Sequence, residues 1–240
     1  MSAMVMIIGG GLAGCEAAWQ AANSDVRVEL YDMKPHRFSP AHESELLGEL
    51  VCSNSLRSNA VNSAVGLLKE EMRQLDSLVI RAAEATAVPA GKALAVDRLE
   101  FAAYISQAME EHELIAIHRQ EVTELPKSPN APVILATGPL TSKAMTNSLI
   151  QLTGSSNLAF YDAIAPIVSA ESLDMDIVYR KSRWDDEGPG DYLNCPMDEE
   201  QYNEFIGLLA GAETVPLKQF EQPKYFEGCL PIEVMVERGP

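Results

Sequence analysis

The sequence predicts an α/β fold, and three observations predict it. A short apolar run, Val5-Met6-Ile7-Ile8, leads straight into Gly9-Gly10-Gly11-Leu12-Ala13-Gly14. An Ala-rich segment with few helix breakers follows. A second apolar run, Val26 to Tyr31, then ends in Asp32. Strand, glycine turn, helix and second strand make a βαβ unit with G-x-G-x-x-G at its first turn, which is the Rossmann-like arrangement for a dinucleotide.

Each glycine has a mechanical reason. Gly9 permits the tight turn, Gly11 lets backbone approach a pyrophosphate, and Gly14 lets the helix pack on the strand. The helix N-terminus offers free N–H groups and a partial positive charge to phosphate oxygens. The candidate cradle is therefore the backbone of Gly9, Gly10, Gly11, Leu12, Ala13 and Gly14. Asp32 closes the second strand, where a carboxylate accepts the ribose hydroxyls of an adenine dinucleotide.

Bulk composition narrows the class. The chain has 240 residues, 47% hydrophobic and 22% charged, as expected of a globular protein with a sizeable core. No apolar run approaches a membrane span and the first residues lack a signal-peptide pattern, so a cytoplasmic protein without a membrane partner is expected. Cysteines 15, 52, 195 and 229 are widely spaced with no C-x-x-C, which suggests neither a metal site nor a disulfide framework. With 18 Lys+Arg against 35 Asp+Glu the net charge is −17, which opposes non-specific attraction to nucleic acid. A local basic patch on an acidic protein still permits an RNA substrate.

Further along, 33–45 reads as loop, with His36 and His42 as solvated loop residues. The segment 50–59 is polar and rich in Ser and Asn, which favour turns and caps. Val61, Val65, Leu68, Met72, Leu75 and Val79 recur at alternating spacings of four and three, predicting one long amphipathic helix with this stripe in the core. Val88-Pro89-Ala90-Gly91-Lys92 reads as a turn. Asp97 and Glu100 form a capping-box-like start to a helix burying Phe101, Ile105 and Ala108. Leu114–Ile117 and Val133–Leu135 read as strands, the latter running into Ala136-Thr137-Gly138-Pro139. That turn is a second place where backbone comes near a dinucleotide, which adds Thr137 and Gly138 to the candidate site. Composition shifts after about Gly154, and a boundary near 158 is expected. Beyond it one helix, capped by Asp198 with Gln201, is predicted to bury Tyr202, Phe205, Ile206 and Leu209.

Several longer blocks resemble one family. They are 50–57 (Leu-Val-Cys-Ser-Asn-Ser-Leu-Arg), 69–72, 88–91, 95–98, 160–168, 192–197 and 226–233. Together they resemble the folate- and FAD-dependent tRNA (uracil-5-)-methyltransferases, TrmFO, over the full length of the chain. The related wobble-uridine carboxymethylaminomethylation flavoproteins lack the contexts of Cys52 and Cys229. The resemblance implies a Rossmann-like FAD-binding domain of a GR-type flavoprotein, followed by the start of an α+β insertion domain. Family members continue into a second Rossmann half, so the expectation is an incomplete FAD-binding domain at 1–158 and a partial insertion domain at 159–240, with the C-terminal half of the flavin domain absent.

The resemblance also implies the chemistry. Carbon from 5,10-methylenetetrahydrofolate is attached to C5 of the T-loop uridine in the tRNA T-arm, with FAD as cofactor, NAD(P)H as reductant, and no DNA partner. Ser53, Asn54 and Arg57 join the cofactor-binding set. C5 of uracil is a poor nucleophile, and a thiolate adding to C6 places electron density on it. Cys229, beside Gly228, is assigned the C6 attack, and Cys52, near Arg57, the proton-handling or flavin-side role. By spacing alone each of these cysteines reads as a buried structural residue. Cys15 is expected to pack and Cys195 to be structural. A generic FAD-dependent oxidoreductase and a non-catalytic truncated flavoprotein are the alternatives.

Overall fold

In the computed structural model, which describes residues 3–51, 53–126, 131–154, 168–181, 190–214 and 230–239, the chain divides into two units, Met1–Leu158 and Ala159–Pro240. In the first unit the apolar runs form β1 (Met4–Ile8) and β2 (Arg27–Asp32), joined by α1 (Leu12–Ala22). β1 and β2 pair in parallel, Met4 opposite Arg27 through Ile8 opposite Tyr31. A short sheet of β3 (Ser55–Ser58), β4 (Ala87–Val88) and β5 (Ala93–Val96) is antiparallel, ordered β3-β5-β4. The predicted turn at 88–92 joins its last two strands. The 50–59 segment, read as turns, supplies β3, with Arg57 at a positive φ of 65°.

The predicted single helix over 61–79 is two, α2 (Ala64–Gln74) and α3 (Leu78–Ala85). Asp76 turns the corner at φ 52°, and Ser77 caps α3. The corner is held from α1: Trp19 Nε1 donates to Asp76 O at 3.1 Å and Gln20 Nε2 to Leu75 O at 3.0 Å. Glu16 Oε2 accepts from Ser77 Oγ at 2.8 Å and from the Val79 N–H at 3.0 Å. These bonds satisfy backbone groups that a continuous helix would have paired internally. The stripe is not core along its length: Leu68 is 55% and Leu75 68% exposed, and Gly66 and Lys69 are the buried residues of α2.

After α4 (Arg98–Glu111), capped by Asp97 as expected, come β6 (Ile115–Arg119), β7 (Val133–Leu135) and α5 (Lys143–Thr153). The main sheet is parallel with order β6-β2-β1-β7. The chain thus moves outward from β1 to β2 and β6, then crosses to β1's other edge. That reversal puts a crevice beyond the carboxyl ends of β1 and β7, the general ligand position in such sheets. The core beneath it comprises Val5, Ile7, Val28, Leu30, Leu78, Val96, Phe101, Ile105 and Met109. The fold is α/β and Rossmann-like.

The second unit contains a short antiparallel pair, β8 (Tyr179–Arg180) with β9 (Leu193–Asn194), then α6 (Glu199–Ala210) and α7 (Ile232–Glu237). The Asp198–Gln201 capping box forms. The predicted burial of its apolar face does not: Tyr202 and Phe205 are exposed, and no α6 residue is buried. Periodicity locates such a face without supplying a partner; among the described elements α6 contacts chiefly the short α7. Among the described residues no helix is long and apolar enough to cross a membrane.

Candidate dinucleotide site

A cleft of about 370 Å³ opens at the carboxyl ends of the parallel strands. Its floor is the turn from β1 into α1. Gly9 stands at φ +111° and donates its N–H to Tyr31 O at 2.8 Å. A Cβ there would lie 2.3 Å from Ala136 O, so only glycine lets β1 end against the turn after β7. A Cβ on Gly14 would lie 1.8 Å from Gly9 O, so this residue sets how closely α1 packs. Gly11, the N-cap of α1, is different: a Cβ there meets nothing within 4 Å. The first turn of α1 carries no acidic residue and no side-chain cap. Its outward N–H groups therefore face open space at the positive end of the helix dipole.

Asp32 lies beside this turn, 8% exposed. Its Oδ2 accepts from the Gly10 N–H and its Oδ1 from the Lys34 N–H, each at 2.8 Å. The carboxylate thus fixes the glycine turn to the end of β2. Each oxygen keeps a further lone pair for another donor.

The loop after β2 is built into the site. Lys34, 4% exposed, reaches the Leu46 carbonyl and pairs with Glu49 at 3.1 Å. Burial alone would raise the Glu49 carboxyl. The N–H groups of Glu43 and Ser44 and the Lys34 ammonium outweigh it and hold the carboxyl below its ordinary range. Leu47 is fully buried, and the Gly48 N–H donates to Gly10 O at 2.9 Å, tying the loop to the turn. His42 lines the cleft and is half-buried, a correction to its reading as a solvated residue; His36 is exposed. The far wall is Ala136–Ser142 with Met145. Thr141 Oγ1 bridges Thr137 Oγ1 at 2.7 Å and Gly138 O at 2.8 Å. A Cβ on Gly138 would also meet open space.

The cleft gathers Gly9, Gly10, Gly11, Leu12, Ala13, Asp32, Ser53, Thr137 and Gly138. Gly14 lies behind it. Asn54 and Arg57 do not line it: Asn54 Nδ2 donates to Val96 O at 2.9 Å, tying its loop to β5, and Arg57 is exposed. Cys52 and Cys229 lie outside the described residues, as does most of the 160–168 block. Sequence reasoning missed Lys34, Ser39, His42 and Glu49, which sit in a loop with no periodicity. The apolar Leu46-Leu47 pair within that polar stretch was the available signal that it packs.

The two described cysteines differ. Cys15 is fully buried and donates Sγ–H to Gly10 O at 3.3 Å. Burial, with the nearby Asp32 charge, pushes its thiol up to about 12. Cys195, expected to be structural, is exposed. At pH 8 a maleimide is expected to label Cys195 in the native protein and Cys15 only in denaturant, as read by peptide mass mapping. Labelling of native Cys15 at the rate of Cys195 contradicts this burial.

Comparison with known proteins agrees with this architecture. The chain is 63% identical over 235 residues to the methylenetetrahydrofolate–tRNA-(uracil-5-)-methyltransferase TrmFO of Desulfotalea psychrophila, covering 98% of this chain and 53% of that protein. It is 55% identical to the protein of the same name from Syntrophus aciditrophicus, with the same coverage, and 54% identical over 239 residues to that of Listeria monocytogenes. The chain spans about half the length of the curated relatives it matches. The profile of the glucose inhibited division protein A family matches residues 4–240, with the glycine turn, Asp32 and the crevice beyond β1 all inside the match, and the chain belongs to that family.

Proposed function

We propose that the cleft holds the adenine-dinucleotide part of FAD. We further propose that the chain serves an enzyme that methylates C5 of the T-loop uridine in tRNA, using methylenetetrahydrofolate and NAD(P)H. The observation that carries the cofactor reading is the open face at Gly11, where the uncapped N-terminus of α1 meets a cleft that a side chain would enter freely. The names of relatives 54–63% identical to the chain support the reaction.

The residues fit the cofactor. First-turn N–H groups of α1 receive the pyrophosphate oxygens, and the spare lone pairs of Asp32 accept ribose hydroxyls. The Thr137–Gly138 backbone lines the opposite wall. Bound FAD would supply the redox chemistry. The chain's thiols act on the uracil: Cys229 Sγ adds to C6, and the displaced π pair makes C5 nucleophilic. As C5 bonds to the methylene carbon, Cys52 takes the C5 proton and the methylene's bond to its carrier breaks, leaving an exocyclic methylene. A hydride equivalent originating in NAD(P)H reduces it to the methyl group, and expulsion of the Cys229 thiolate restores the C5–C6 double bond.

Transfer of label from methylenetetrahydrofolate to tRNA by the intact enzyme tests the reaction. NAD(P)H oxidation without label in tRNA supports a generic flavin oxidoreductase instead. Fluorine at C5 of the target blocks proton removal and traps the thiol adduct. With 5-fluorouracil tRNA, wild type and Cys52→Ala are expected to give a shifted gel band, and Cys229→Ala none. Loss of the adduct in Cys52→Ala alone reverses the two roles.

A further inference from the structure

His42 is the imidazole that lines the cleft. Its Nδ1 lies 2.5 Å from Ser39 Oγ, and Ser39 is itself buried. The Ala41 N–H donates to the same hydroxyl oxygen at 3.3 Å, so the hydroxyl proton is free to point at Nδ1. With the hydroxyl donating to Nδ1, the ring hydrogen of a neutral imidazole stands on Nε2. Burial and the neighbouring Lys34 charge both favour the neutral ring. Nε2 has no hydrogen-bond partner among the described residues, and no unpartnered side-chain nitrogen among them is buried, so the Nε2 donor is accessible. Its loop is anchored on both sides of His42 by the Lys34–Glu49 pair. The imidazole is thus held by Ser39, with its neutral form favoured, in the cleft that also contains Gly11 and Asp32.

We propose that His42 is a ligand-contacting residue, its Nε2–H donating to an oxygen of the bound dinucleotide, with Ser39 as the positioning residue that fixes its tautomer. The assignment rests on the FAD reading of the cleft. It gives the loop after β2 a direct binding role beside the phosphate cradle and Asp32.

The test is FAD titration by flavin fluorescence into apo-protein, with thermal unfolding of each apo variant. His42→Leu is expected to weaken binding roughly ten-fold, the scale for losing a neutral donor to a polar or charged acceptor. His42→Gln, whose amide nitrogen reaches the Nε2 position, is expected to recover most of the affinity, and His42→Asn, whose amide sits near Nδ1, is not. Ser39→Ala is expected to fall between wild type and His42→Leu. A role confined to packing predicts equal losses for Gln and Asn, so that result overturns the assignment. Wild-type affinity in a folded His42→Leu overturns it as well. If His42→Leu melts early, the Gln/Asn pair decides. Gly11→Val separates the two levels: binding lost there and intact in His42→Leu overturns His42 alone, whereas absence of binding by wild type overturns the cleft reading with it.

Discussion

Gly14→Val is expected to cost about 3 kcal/mol or more of stability, because its first side-chain atom has nowhere to go. A Cβ would sit 1.8 Å from Gly9 O, and both partners are backbone within the βα turn. Relief requires α1 to move off β1. That movement breaks the packing of Cys15 and Ala18, both fully buried, and pulls Glu16, Trp19 and Gln20 away from the α2–α3 corner. Thermal unfolding of the apo-protein is expected to shift down by on the order of 10 °C. An unchanged transition contradicts the close packing of α1 on β1.

Asp32→Ala is expected to lower both stability and FAD affinity. The ribose role alone predicts only weaker binding. Here the carboxylate also accepts the Gly10 and Lys34 N–H groups. Removing it leaves two backbone donors without acceptors in a site that is 8% exposed, at about 1–3 kcal/mol for each unsatisfied group. Asp32→Asn keeps one carbonyl acceptor and is expected to retain more stability than alanine while still binding FAD poorly. Melting curves and FAD dissociation constants for the two variants check this. Equal stability of Asp32→Ala and wild type contradicts the structural half of the role.

The βαβ unit was legible because its constraints are local. Three glycines, two apolar runs and a terminal acid each carry their reason within a short stretch of chain. The same holds for the caps at Asp97 and Asp198, which act on N–H groups two or three residues away. The α2–α3 corner was not legible, because the groups that hold it come from α1, more than fifty residues earlier, while the apolar spacing runs through the break. The loop that builds one wall of the cleft was missed for a related reason. Lys34 and Glu49 meet across fifteen residues and obey no helical or strand period. The position of Asp32 was readable, but its bonds to Gly10 and Lys34 depend on how the turn folds back over β2. The stripes on α2 and α6 show the converse: amphipathic spacing marks a face without saying what covers it.

Gly11→Val probes whether the dinucleotide sits at the N-terminus of α1, because Gly11 is the cradle position where a side chain meets no protein atom. Its φ of −77° is open to any L-residue, so the substitution puts atoms into the proposed pyrophosphate space without straining the backbone. The measurement is FAD bound per chain, by absorbance of released flavin, alongside the apo melting temperature. Flavin is expected to be lost, with a melting temperature within a few degrees of wild type. Wild-type flavin content in Gly11→Val would contradict this expectation and move the dinucleotide away from the N-terminus of α1.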